Sequence, residues 1–171
     1  MTYNSIKKFI EDKADGLMLR EIMKKCDMTL STKDNDIKES VTQPEDVLCR
    51  ISWIKWEEQE HLIVICLNSN NEIIGIHDTT KGLVNQTPVH PRESFKQAIK
   101  DNATCVMFAH NHPSGNLEPS DEDMNITKVL CAAGKILMIP VLDHIIISKR
   151  GFTSLCRRYP EIFEDTFYKE H

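Results

Sequence analysis

Paired cysteines, a basic excess and long apolar runs are all missing from this chain. Its 21 Lys and Arg are outnumbered by 26 Asp and Glu, for a net charge of −5, which argues against a nucleic-acid groove as its main surface. The six cysteines, Cys26, Cys49, Cys66, Cys105, Cys131 and Cys156, never stand two or three residues apart. That spacing excludes a zinc ribbon or a dithiol redox motif and makes buried free thiols the expectation. Cys66 and Cys105 sit in apolar runs, where a reduced cysteine packs as a small hydrophobe. No run is long enough to span a membrane, and Met1-Thr2-Tyr3-Asn4-Ser5 lacks the apolar core of a secretory signal. The expectation is a cytoplasmic protein without a membrane partner. At 171 residues one domain with a real core is the natural size.

What the chain does have is alternation of strand-like and helix-like segments. Residues 1–40 read as a helical extension and linker, with helical spacing from Ser5 to Cys26 and polar composition from Asp27 to Gln43 around an edge strand at Ile37–Val41. Pro44-Glu45-Asp46 has the acidic first turn of a helix start, leading to Val47, Leu48, Ile51 and Trp53. His61–Leu67 and Glu72–His77, separated by Asn68-Ser69-Asn70-Asn71, predict a β-hairpin. A helix over Pro91–Lys100 and a strand over Thr104–His112 follow. A further helix runs from Ser120 to Ala133 and is stopped by Gly134. A strand is expected at Ile136–Leu142, then Asp143-His144, a separate apolar run at Ile145–Ile147, and a peripheral tail at 161–171. Interleaved strands and helices predict an α/β (α+β) layered domain on one mixed, mostly antiparallel sheet.

The chemistry concentrates between Ala109 and Asp123. His110 and His112 lie two apart at a strand's carboxyl end and so share a face, and Pro113 and Gly115 turn the chain behind them. Two imidazoles and the Asp123 carboxylate make the ligand set of a catalytic zinc site with one position left for water. Each piece has a plainer reading. A His-x-His pair at a strand end often ligates nothing, and Ser120-x-x-Asp123 is a capping-box-like helix start worth about 0.5–2 kcal/mol. A metal role for Asp123 is expected to displace its capping role, leaving Ser120 as the cap or as a polar site group.

The pattern His110-x-His112-Pro113 followed by Ser120-x-x-Asp123 resembles the JAMM motif of MPN/JAB-type metallohydrolases. The longer string His-Asn-His-Pro-Ser-Gly, with Gln59-Glu60-His61, Val89-His90-Pro91-Arg92-Glu93 and Leu142-Asp143-His144-Ile145-Ile146-Ile147, is similar to the RadC branch. The similarity covers roughly residues 41–158, so a RadC-like JAB/MPN domain is expected at 41–160. It implies one Zn²⁺ per chain on His110, His112 and Asp123, and Ser120 positioning or stabilising a developing oxyanion. It also implies an upstream glutamate that moves the proton. Glu60 matches that glutamate, with Glu93 as the alternative. The implied reaction is hydrolysis of a peptide or isopeptide amide by a water whose pKa the zinc lowers, with a carboxylate shuttling its proton. Asp143-His144 reads either as a pair orienting a metal ligand or as a structural pair. His61, His90, Trp53 and Trp56 carry no catalytic role in this reading, and Glu118 and Glu122 read as exposed charges.

Two alternatives compete. One is a non-catalytic module with a structural metal acting in DNA repair or assembly. The other is a metal-dependent phosphodiesterase, although two-metal nucleases gather more carboxylates than this motif offers. Full-length RadC-like proteins carry a helix-hairpin-helix-type region associated with DNA, and the residues before 41 lack its glycine-containing hairpin. Weak, non-specific nucleic-acid binding is therefore the expectation. A zinc deaminase would need a His-x-Glu and a Pro-Cys-x-x-Cys, and neither occurs.

Overall fold

A run of seven apolar or semi-polar residues buried on both faces needs cover on both sides of the sheet, and β1 (His61–Leu67) is such a run. The computed structural model describes residues 40–81 and 89–164. Around β1 it builds a five-stranded sheet in the order β2-β1-β3-β4-β5, with β2 at Ile73–Lys81, β3 at Cys105–Asn111, β4 at Val141–Ser148 and β5 at Gly151–Ser154. β1 is antiparallel to β2 and to β3, β3 and β4 are parallel, and β5 returns antiparallel to β4. The expected mixed α/β sheet is the one observed.

One face packs α1 (Glu45–Ile51) and the 3₁₀ turn Ser52–Trp56, through Val47, Ile51 and Ile54, onto Ile63, Ile65, Met107, Ala109 and Ile145. The other face takes α2 (Pro91–Lys100) and α3 (Asp121–Leu137), through Phe95, Ala98, Leu130 and Cys131, onto Leu62, Val64, Cys66, Phe108 and Ile146. Both layers are dry, which explains the near-continuous apolar reading of β1, β3 and β4. The edge strand β2 extends past His77 through Asp78 and Thr79 to Lys81, beyond the segment read as a strand, since an edge tolerates polar residues that an interior strand does not. The expected helix between Ser5 and Cys26, and most of the strand at Ile37–Val41, lie outside the described residues. Only the Ser40–Glu72 bridge of that strand is seen.

Three expectations are corrected. Gly134 does not stop α3, which runs on to Leu137 and closes with Met138 in the left-handed region at φ 59°. Gly134 serves a close approach instead, because a Cβ there would stand 2.6 Å from the Ile139 carbonyl oxygen and 3.3 Å from the Phe95 ring. The strand placed at Ile136–Leu142 is therefore shifted: Ile136 and Leu137 are helical, and one strand, β4, joins Val141 to the run Ile145–Ile147. The segment after Pro160 is not wholly peripheral, since a 3₁₀ turn at Pro160–Ile162 sets Phe163 into the core beneath α2 and α3. A short α4 (Leu155–Arg158) precedes that turn.

Candidate metal centre

The site forms where β3 ends and α3 begins. His110 is the penultimate residue of β3, and His112 prolongs the ladder by donating its N–H to the Ile147 carbonyl at 2.9 Å. Their rings stand on one face, with centroids 4.7 Å apart. A turn closed by Gly115 N–H on the His112 carbonyl, with Gly115 at φ 83°, leads to Asn116, whose carbonyl oxygen lies 2.8 Å from His112 Nδ1. Glu118 steadies the same loop by pairing with Arg158.

Ser120 caps α3. Asp123 N–H donates to Ser120 Oγ at 3.1 Å, while Ser120 N–H and Oγ–H both donate to Asp123 Oδ2 at 2.7 Å. The expectation that Asp123 would give up its cap is thus corrected. Oδ2 closes the capping box, and the carboxylate still faces the imidazoles, with Oδ1 3.1 Å from His110 Nε2 and Oδ2 3.4 Å from His112 Nε2. A carboxylate has enough lone pairs for both tasks, and the first turn of a helix stabilises its charge.

Behind His110 runs a buried chain of hydrogen bonds that sequence reasoning left undecided. His110 Nδ1 meets His144 Nε2 at 2.8 Å, His144 Nδ1 meets Thr127 Oγ1 at 2.7 Å, and Thr127 Oγ1 donates to the Asp123 carbonyl at 2.6 Å. That last acceptor sets every proton in the chain. With its hydrogen given to a carbonyl, Thr127 Oγ1 accepts from His144 Nδ1–H. Burial pushes His144 well below the usual imidazole range, so its ring is neutral and Nε2 accepts from His110 Nδ1–H. The lone pair of His110 is thereby left on Nε2. His112 reaches the same state, because Asn116 can only accept and so holds its proton on Nδ1. The two Nε2 atoms are 2.9 Å apart and converge with the Asp123 carboxylate.

Three acceptors facing one point require a cation between them, either a proton or a metal. The titration directions agree with a bound positive charge. Burial pushes Asp123 up, but the facing His110 and His112 imidazoles and Ser120 outweigh it and hold the carboxyl well below its ordinary range. Burial would lower His112, and Asp123, the Asn116 carbonyl and Glu60 outweigh that and raise it. Nε2 of both rings and a carboxylate oxygen all lie within 4.8 Å of one another. The donor set, two neutral imidazoles and one carboxylate fixed from behind, therefore fits a zinc ion.

Asp143 does not join His144 at this site. It faces away and accepts from Ser154 Oγ, the Cys156 N–H and the His144 N–H, tying β4 to the turn into α4. The residue with a sequence signal that went unread is Asn111, between the two histidines. Its Oδ1 accepts the His61 N–H at 2.7 Å and its Nδ2 donates to the Gln59 carbonyl at 3.0 Å, so one amide brackets Glu60 from both sides. The antiparallel register ends with Leu62 paired to His110, and Glu60, two residues before Leu62, lies close enough to His112 for its charge to help raise that imidazole. Glu60 is half-buried there. Glu93 lies elsewhere, on the exposed first turn of α2, paired with Arg92 and Lys96. His61 opens β1 and bonds Asp78 at 2.7 Å, and Trp53 packs edge-on to its ring.

Among the described residues no helix is long and apolar enough to cross a membrane. The family model of the RadC-like JAB domain matches residues 40–160. The chain is 43% identical over 153 residues to a UPF0758 protein of Clostridium botulinum (strain Alaska E43 / Type E3), covering 88% of this chain and 66% of that one. It is 43% identical over 156 residues to a UPF0758 protein of Clostridium beijerinckii, covering 90% and 67%. With a UPF0758 protein of Methanospirillum hungatei the identity is 45% over 117 residues, covering 67% and 52%. The chain thus spans about two thirds or less of the length of these relatives. The site on β3 and α3 falls inside the matched region, and the chain belongs to the RadC-like JAB domain family.

Proposed function

We propose that this domain is a zinc-dependent hydrolase of peptide or isopeptide amide bonds, with His110, His112 and Asp123 as the ligands and Glu60 as the proton shuttle. The observation that supports it is the convergence of three fixed acceptor atoms at one point, with the Glu60 charge acting on His112. Zinc in such a site supplies Lewis acidity and a water of lowered pKa.

The chain's own residues do the rest. The Glu60 carboxylate, held by the bracket of Asn111, takes a proton from the attacking water and hands it to the nitrogen of the leaving amine. Thr127 and His144 keep the lone pair of His110 on Nε2. Ser120 holds Asp123 in place, and its hydroxyl would serve an oxyanion only after turning from Oδ2. The net charge of −5 disfavours nucleic acid, with duplex DNA expected to bind weakly and with a shallow salt slope.

Metal analysis combined with a peptide-library cleavage screen tests this reading. An Asp123-dependent equivalent of zinc and chelator-sensitive cleavage are expected, while far-UV circular dichroism survives the chelator because the two-layer core does not need the ion to fold. Glu60→Gln should keep the zinc and cost roughly 10²–10⁴-fold in turnover, and Glu93→Gln should leave turnover unchanged. Cleavage that persists in Glu60→Gln and disappears in Glu93→Gln would reverse the assignment. A fold that collapses with chelator would point to a structural metal.

A further inference from the structure

A second group of ligating atoms lies on the α2 face of the β1–β2 edge. Cys66 Sγ from β1, a ring nitrogen of His77 from β2 and a carboxylate oxygen of Asp101 from the end of α2 lie within 4.8 Å of one another. His77 Nε2 meets Asp101 Oδ2 at 2.5 Å. The geometry points to a second metal site on Cys66, His77 and Asp101, one that takes a borderline-soft divalent ion such as Zn²⁺ or Co²⁺ and is separate from the His110–His112–Asp123 centre.

Three features build it. The first is the space made by Gly75, the residue paired with Cys66 across the strands. A Cβ there would stand 2.1 Å from Asp101 Oδ2 and 2.7 Å from His77 Nε2, so only glycine admits both side chains to this corner. Gly75 and His77 are two apart on β2 and share its face.

The second feature is the place of Asp101. It is the C-cap of α2, its N–H accepted by the Gln97 and Ile99 carbonyls, and the following turn is pinned by Ala103 N–H on the Ala98 carbonyl. A carboxylate at the negative end of a helix dipole is disfavoured unless a cation sits beside it. A metal ion shared with His77 provides that cation.

The third feature is the thiol. Cys66 is fully buried on the side of Phe95 and Ala98, yet His77 and Asp101 keep 31% and 22% of their side-chain surface accessible, so an ion reaches the cluster from the solvent side. Burial, together with Asp101, pushes the Cys66 thiol up to about 12. The sulfur therefore keeps its proton until an ion replaces it, and binding releases that proton to solvent as the sulfur–metal bond forms. Thiolate, imidazole and carboxylate together are zinc-type ligands, with water completing four-coordination. Displacing a proton and the His77–Asp101 hydrogen bond makes this the weaker of the two sites.

Cobalt(II) titration of the full, chelator-stripped chain reads the site directly, because only a sulfur ligand produces the near-ultraviolet thiolate-to-cobalt charge-transfer band. The expected result is that band on the second equivalent of cobalt. It should be retained in Asp123→Ala, where the first equivalent is lost, and abolished in Cys66→Ala. His77→Asn should weaken the second equivalent by about 100-fold or more, beyond the 10–100-fold typical of losing an outer-shell partner. His77→Asn also leaves the core untouched and keeps the test decisive if Cys66→Ala misfolds. Saturation with no charge-transfer band, or a band that survives in both Cys66→Ala and His77→Asn, overturns the site. Loss of the first equivalent alone would count against the hydrolase centre and leave this one standing.

Discussion

Asp123 opens a helix and Asp101 closes one, and the two aspartates show what a helix end does for a carboxylate. Asp123 lies in the first turn of α3, where the dipole favours its charge and Ser120 gives it two hydrogen bonds. Its position is secured before any ion arrives. Asp101 stands at the last turn of α2, where the dipole opposes its charge, and its carboxylate faces His77 and the Cys66 thiol. The first carboxylate belongs to a prearranged site. The second depends on its cation.

Five substitutions sharpen or break this contrast. Asp123→Asn has the largest expected effect: the amide oxygen still serves the capping box, but the charge is gone, so zinc should be lost while far-UV circular dichroism still shows the fold. Retained stoichiometric zinc would show that the two histidines suffice. His144→Asn comes next. Freeing His110 Nδ1 from its acceptor should weaken zinc by about 10–100-fold, read by competition with a chelator, and Thr127→Val should move it in the same direction. An unchanged affinity would show that the tautomer of His110 needs no help. Ser120→Ala removes the cap and should lower stability by about 0.5–2 kcal/mol, measured by urea unfolding of the metal-free chain. Asp101→Asn should do least in the metal-free protein. Relief of the unfavourable helix-end charge, about 0.3–1 kcal/mol, offsets the weaker bond to His77, so its unfolding midpoint should shift less than that of Ser120→Ala. A larger loss would mean that the dipole argument fails at this helix.

The contrast also explains which parts of the molecule could be read in advance. Asp123 announces itself through short-range chemistry. His110, His112, Ser120 and Asp123 fall within fourteen residues of chain, and strand period, proline turn and helix cap bring them together by local rules alone. Pro91–Lys100 was legible for the same reason, with proline at its first position and the apolar Phe95 and Ala98 three apart on one face. The Cys66–His77–Asp101 group carries no such signal, because its members come from three elements and meet only through the register of β1 with β2 and the docking of α2.

The misplaced boundary of α3 follows from the same distinction. From Ile136 to Ile147 the chain is apolar nearly throughout, so periodicity cannot say where helix gives way to strand, and Gly134 reads as a stop. Its actual role, to let the Ile139 carbonyl and the Phe95 ring approach, exists only once α3 has packed on the sheet. The later strand, running Val141–Ser148 instead of Ile136–Leu142, is what puts His144 in mid-strand beside Phe108 and within reach of His110, instead of at a strand end.

By itself the sequence determined the α/β alternation, the family and the grouping of His110, His112 and Asp123, because these rest on spacing along one stretch of chain. Tertiary structure alone decided the proton order through Thr127 and His144, the bracket that Asn111 places around Glu60, and the meeting of Cys66, His77 and Asp101. Each of these joins residues distant in sequence, and the hydrogen bonds that define them form only when strands pair in register and helices settle on the sheet.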